Sequence, residues 1–240
     1  DTLEIRIMIN RVHYTAHSKM ADLLSEHYNI FSLISRLGIP LGMGDHTIRE
    51  VCEANGVDTD TFMYLVHFDL YPDLRETLTP DLETIDVAQI ISFLRASHSY
   101  FLEVRLPDIG EALDVALEGA PHDIRVVVKH YFADYCKEVR NHMHYEDEVV
   151  FPYAEGLLRG EEGKKDYNIT NFERHHDQVE LKMHELKNLF LKYYTWEANL
   201  KLYNVLHDLY ACGEELLNHN DIENQIFIPC IKVLEKSSSR

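Results

Sequence analysis

HMHYEDEVVFP (His142–Pro152) and HNDIENQIFIP (His219–Pro229) are two copies of one pattern: histidine, glutamate four residues later, apolar residues, then proline. Residues four apart lie on one face of an α-helix, so each copy sets an imidazole beside a carboxylate. Outward from the first copy, Val128, Tyr131, Tyr135, Val139 and Val149 fall at spacings of three and four on the stripe of His142 and Glu146. Outward from the second, Val205, Leu209, Cys212, Leu216 and Ile226 do the same around His219 and Glu223. Such a stripe is the core-facing side of an amphipathic helix. Both His-Glu pairs are therefore predicted to sit in a core, where ionisable groups are rare unless paired.

Two further stripes share this period. Val87, Ile91, Leu94, His98 and Phe101 form one; Phe172, His176, Val179, Met183, Leu186 and Phe190 form the other. Thr79-Pro80-Asp81 is a helix-start signal before the first, and Pro107 is expected to kink it. Gly119-Ala120-Pro121, then Gly160 and Gly163, mark turns, and a third turn is placed near Thr195-Trp196. Short turns make neighbouring helices antiparallel. The expectation is an all-α protein in which residues 79–240 form an up-down-up-down four-helix bundle. Tyr-Pro-Asp and Thr-Pro-Asp, between Tyr71 and Asp81, separate it from a small helical N-terminal domain over residues 1–78. There the pattern predicts a helix from Asn10 to about Ile34 and a loop over Gly38–Asp45. A helix capped by Asp45 or Thr47 runs through Glu53 to a stop at Asn55-Gly56, and another starts at Asp58 or Thr59.

The histidines on the four stripes are related by the turns. The midpoint of His98 and His142 is residue 120, that of His142 and His176 is residue 159, and that of His176 and His219 lies between 197 and 198. Each falls in or beside a predicted turn. Rise along a helix is constant at about 1.5 Å per residue, so residues equidistant from a hairpin turn lie side by side. One histidine per helix is thus predicted at a single level, with Glu146 and Glu223 beside two of them. A buried carboxylate must be protonated, hydrogen-bonded or bound to a cation. Four neutral imidazoles and two carboxylates can hold two metal ions, each taking two imidazoles, with both carboxylates bridging. Nitrogen and oxygen donors suit iron or manganese, whereas zinc favours four-ligand tetrahedral sets, often with thiolates. The competing reading is a buried hydrogen-bond network with water, which suits a lone core His-Glu pair better than a six-residue set.

Composition narrows the partners. Asp and Glu outnumber Lys and Arg 41 to 23, a net charge of −18 over 240 residues. That field repels nucleic-acid phosphates and anionic lipid, and no apolar run approaches the length of a membrane span. Cys52, Cys136, Cys212 and Cys230 are spread without a Cys-x-x-Cys pair, which suits a reducing, cytoplasmic compartment. The first ten residues carry no signal-peptide pattern. No phosphate loop, nucleophile elbow or basic-aromatic platform is present.

The paired His-x-x-x-Glu motifs ending in Phe-Pro or Ile-Pro, with single histidines on the first and third helices, resemble the hemerythrin-like (HHE cation-binding) family. The resemblance is closer to its di-iron proteins that repair iron–sulfur clusters, whose bundle follows a small helical domain. HSYFLEVRLPDI (His98–Ile109) is similar to that family's first helix. HHDQVE (His175–Glu180) is similar to the third, where the ligand histidine precedes Asp, favouring His176 over His175. GDHTIREVCEANGVD (Gly44–Asp58) resembles the N-terminal domain. The resemblance implies a binuclear iron centre bridged by oxide or hydroxide, with manganese a weaker fit. His98, His142, His176 and His219 would be terminal ligands, and Glu146 and Glu223 bridges. It further implies a cytoplasmic stress-response protein whose small ligands are oxygen, nitric oxide or peroxide, and whose macromolecular partners are damaged iron–sulfur proteins. The chain departs from the pattern in one place. Where those relatives carry adjacent cysteines it reads Leu41-Gly42-Met43-Gly44-Asp45, which leaves open a protein that binds or senses oxygen or nitric oxide without turnover. Iron-storage and oxidase bundles usually use Glu-x-x-His, the opposite order. An N-terminal helical appendage could mediate a homodimer.

The remaining candidates read as structural. His122 lies about 30 Å along a helix from His142 and reads as a turn or helix-start residue. His144 and His175 neighbour ligands but point to other faces. His13 and His17 share a face without partners. His130, His184 and His207 read as rim or surface groups, and Cys136, Cys212 and Cys230 as small core residues. Cys52 is supported by the resemblance alone. Tyr100 and Tyr145 read as packing groups or hydrogen-bond partners near the metals. Asp147 and Glu148 read as a solvated face, as do Glu161 and Glu162.

Overall fold

The computed structural model describes residues 14–75, 84–161, 168–172 and 177–238. The chain divides into two compact units, residues 1–96 and 97–240. The boundary expected at 78/79 lies outside the described residues. All the regular structure described is helical, as the 3.6-residue period requires, and no described helix is long and apolar enough to cross a membrane.

In the first unit, α1 (Met20–Glu26), α2 (Ile30–Arg36), α3 (Ile48–Ala54) and α4 (Thr59–Leu70) surround Met20, Leu23, Ile30, Ile48, Phe62 and Phe68, all fully buried. The single helix expected from Asn10 to Ile34 is corrected to two short ones. His27 leaves helical backbone geometry (φ −131°, ψ 79°) and the chain turns before Ile30. Residues 10–13 lie outside the described residues. The other two starts are where the caps predict them. Thr47 accepts from Glu50 N, and the Glu50 carboxylate accepts from Thr47 N at 2.7 Å, closing a capping box on α3. Asp58 accepts from Thr61 N at 2.8 Å and opens α4.

Four long helices follow. Helix α5 covers 87–116 as Val87–Ser99, a π-helical segment Tyr100–Arg105, and Leu106–Ala116. Helix α6 covers 122–158 as His122–Tyr145, a π segment Glu146–Val150, and Phe151–Leu158. Helix α7 covers 177–193, ending in a π segment Leu189–Tyr193. Helix α8 covers 200–238 as Leu200–Ile222, a π segment Glu223–Phe227, and Ile228–Ser238. Gly119 (φ +82°) and Gly160 (φ +76°) end α5 and α6 in the left-handed region, where a Cβ would be strained.

Within the second unit α6 packs along α7, and α5 along α8. Their apolar stripes meet in one core containing Phe101, Leu113, Tyr135, Val139, Leu186, Leu209 and Cys212. Polar staples hold the ends. Asn199 caps α8 through Leu202 N and donates to Ala116 O at 2.9 Å, joining the third turn to the first. Glu235 Oε1 accepts from Tyr153 Oη at 2.7 Å and Ile169 N at 2.9 Å, tying the segment before α7 to the end of α8.

Three stripe positions depart from expectation. Tyr131 is exposed, and Phe132 packs on the core instead. Val149 is half-buried and Val150 fully buried, because the π segment adds a residue to the turn and shifts the stripe by one. Phe172, expected on the third helix, follows the 3₁₀ turn Ile169–Asn171 and precedes α7.

Candidate metal centre

Both motif copies fold into the same local geometry. His142 Nε2 lies 3.1 Å from Glu146 Oε1, and His219 Nε2 lies 3.0 Å from Glu223 Oε1. Helix α5 brings His98, whose Nε2 is 2.9 Å from the other Glu146 oxygen, Oε2. Glu146 therefore turns one oxygen to an imidazole of its own helix and the other to an imidazole from α5. Donor atoms of His98, Glu146, His219 and Glu223 all lie within 4.8 Å of one another, and all four side chains are buried.

The walls are aromatic. Phe151 stacks on His98 at 5.4 Å, Phe172 stacks on His142 at 6.3 Å, and Phe101 meets His219 edge-on at 6.0 Å. His98 and His219 face each other at 5.2 Å between ring centroids. These rings exclude water, so the carboxylates pay a desolvation cost of several kcal/mol per charge unless they are neutralised. Burial, then the neighbouring Glu223, pushes Glu146 well above the ordinary carboxylate range. Burial opposes a charge on His98, but Asp147 and Glu146 outweigh it and raise the imidazole to about 9. A protein-only cluster of this kind must hold protons, and a cation can replace them.

The spacing also suits a cation. Two donors at right angles, each about 2.1 Å from one octahedral ion, are roughly 3.0 Å apart. The three N···O separations, 2.9, 3.0 and 3.1 Å, have that length. Neither ring nitrogen of His98 has an aligned hydrogen bond: Nε2 faces Glu146 Oε2 and Nδ1 faces Asp147 Oδ2 at ion-pair distance. The imidazole and carboxylate set, with no thiolate in the group, is the chemistry of a harder ion than structural zinc. The residues fit a bound cation.

A widened helical turn begins at each glutamate. Phe151 N donates to Glu146 O and Ile228 N to Glu223 O, each an i→i−5 bond made by the residue just before a proline. Leu106 N, before Pro107, donates to Phe101 O in the same way. A proline has no N–H and its ring collides with the carbonyl four residues back. The helix absorbs both defects by widening for one turn, and π segments of this kind gather at functional sites. The kink expected at Pro107 is thus a π segment, repeated from the glutamate of each His-Glu pair onward. The prolines in both motif copies were the visible signal for it.

Of the six metal-site residues expected, His98, Glu146, His219 and Glu223 come together, and His142 touches Glu146. His176 lies outside the described residues, as do His175 and His13. His122 is exposed at the start of α6, and His144, His130, His184 and His207 are exposed. Exposed His17 and buried Cys52 belong to the first unit. Tyr100 and Tyr145 are half-buried. Sequence reasoning missed Asp147, whose Oδ2 lies 3.1 Å from His98 Nδ1. In a regular α-helix the residue after Glu146 points about 100° away, so an acidic run gave no signal that both neighbours would bracket one ring.

No curated protein matches the chain. Residues 89–231, more than half of it, match the model of the hemerythrin HHE cation-binding domain, and the span contains every member of the buried cluster. The chain belongs to the hemerythrin HHE cation-binding domain family.

Proposed function

We propose that the chain is a non-haem di-iron protein of the oxidative or nitrosative stress response, related to the repair of iron–sulfur clusters. The observation that carries the binuclear reading is Glu146, whose two oxygens face different imidazoles at 2.9 and 3.1 Å, the posture of a bridging carboxylate. His98 and His219 would hold one iron and His142 the other, with His176 the further imidazole that the sequence offers it, and Glu146 and Glu223 would supply carboxylate oxygens to both. A bound iron pair would supply reversible valence change and positions for a diatomic ligand or peroxide. The chain's own residues do the rest. The phenyl rings of Phe101, Phe151 and Phe172 keep water from the imidazoles, and the carboxylates neutralise the ions.

The second reading is a protein that binds oxygen or nitric oxide reversibly without turnover. It is favoured by the loop Leu41–Asp45, which lacks the adjacent thiols expected of the repair proteins, and by Cys52, whose thiol burial pushes up to about 12. A thiol so rarely ionised is a poor nucleophile.

Iron analysis and ultraviolet-visible spectra of anaerobically purified protein, with and without oxygen or nitric oxide, test the site. A bound iron pair whose spectrum responds to gas supports the reading, whereas a protein that refuses iron overturns it. Restoration of activity to an enzyme with a damaged iron–sulfur cluster separates repair from sensing.

A further inference from the structure

His98 is held from both sides. Glu146 Oε2 sits 2.9 Å from its Nε2 and Asp147 Oδ2 sits 3.1 Å from its Nδ1. The two carboxylates are adjacent in sequence. They reach opposite nitrogens of one ring from the start of the π segment Glu146–Val150. An imidazole that gives Nε2 to a metal must carry its proton on Nδ1, where it needs an acceptor. Asp147, with 29% of its side chain exposed, is the carboxylate beside that nitrogen, and a turn of the ring toward a cation at Nε2 would align the pair.

The internal repeat makes the arrangement unequal. A shift of 77 residues carries His142 onto His219 and Glu146 onto Glu223, and it carries Asp147 onto Asn224, a neutral and exposed amide. The two motif copies share His, Glu and Pro, and one of the positions where they differ in charge is the residue following the glutamate.

We propose that Asp147 is a positioning residue for the metal centre, fixing the Nδ1–H form of His98 and making the cation position served by His98 and His219 the stronger of the two. The proposal rests on the binuclear reading above. A carboxylate behind a ligating imidazole orients the ring and raises its basicity, and loss of such a partner typically costs about 10- to 100-fold in metal affinity. The chain therefore binds its two cations in distinguishable steps, the tighter one depending on Asp147.

Titration of the metal-free full-length chain with Co(II), followed by its visible spectrum, tests this. Wild type should bind in a tighter and a weaker step. Asp147→Asn, which copies Asn224, should weaken the tighter step by about 10- to 100-fold and shift its cobalt absorption, leaving the weaker step within about threefold. Asp147→Glu keeps the charge and should restore part of the tighter step. Unchanged steps in Asp147→Asn, or equal weakening of both, would overturn the positioning role. Loss of folding in Asp147→Asn by circular dichroism, with no recovered step in Asp147→Glu, would do so as well. Wild type binding a single cation would overturn the binuclear reading instead, so the two failures are separable.

Discussion

Glu146 and Glu223 are fully buried carboxylates beside imidazoles, and their chemistry sets what the centre can hold. Replacing both with Ala removes the oxygen donors shared by the two cation positions. The double variant should lose the iron pair altogether, and metal analysis still returning two tightly bound irons per chain would contradict the ligand set. His122→Ala, at an exposed helix start, should leave iron content unchanged in the same assay. The four cysteines give a second test. Burial pushes the Cys52 and Cys212 thiols up to about 12, and Cys136 and Cys230 up to about 11. A raised thiol pKa means less thiolate at any pH below it. At pH 8 a group at 12 is ionised about a thousandfold less than one at 9. Native protein should therefore react slowly with a disulfide reagent, Cys136 first because it is half-buried, with rates rising as pH climbs toward 11. Mass mapping of labelled peptides checks the order. Rapid labelling of Cys52 at pH 8 would contradict its burial and revive a thiol role for the first unit.

At the scale of elements, caps and prolines do different work. The Thr47 capping box closes a helix of seven residues, too short to persist without its ends satisfied. Thr47→Ala should cost about 1 kcal/mol, read as a lower urea midpoint for unfolding of the first unit, with iron content unaffected. The prolines after the π segments act on the centre instead. In Pro152→Ala or Pro229→Ala the returned N–H and the relieved ring clash allow regular α-helix through 146–150 or 223–227. Helicity by circular dichroism should be unchanged, while iron affinity should fall by about tenfold, the low end for losing a supporting interaction. Affinity equal to wild type would show that the glutamates reach the centre without the widened turn.

For the whole molecule, a cation that binds the folded chain and not the unfolded one stabilises it by mass action. At a free Fe(II) concentration a hundred times the dissociation constant the gain is about 2.7 kcal/mol. Anaerobic Fe(II) should therefore raise the melting temperature of the second unit, and a chelator should return it. Because the chain has two compact units, the melt should be followed by probes in each, with the shift confined to residues 97–240. An equal shift of the first unit would show that the two unfold together.

The level of the centre was legible in one dimension. Helix rise is constant, so two glycine- or proline-marked turns, a third placed near Thr195-Trp196 and the histidine positions predict His98, His142 and His219 at one height, with Glu146 and Glu223 beside them. The caps at Thr47 and Asp58 were equally legible, because capping depends on residues within one turn. The first helix was not, since nothing local in Asn10–Ile34 marks the break that His27 makes. Nor could spacing show which oxygen of Glu146 faces which ring, that Val150 replaces Val149 in the core, or that Asp147 leaves the solvent face for His98. Those outcomes depend on a widened helical turn and on a neighbouring helix that meets it. Periodicity at a fixed 3.6 residues carries the fold; the phase shift produced by a proline and its packing is decided only when the helices come together.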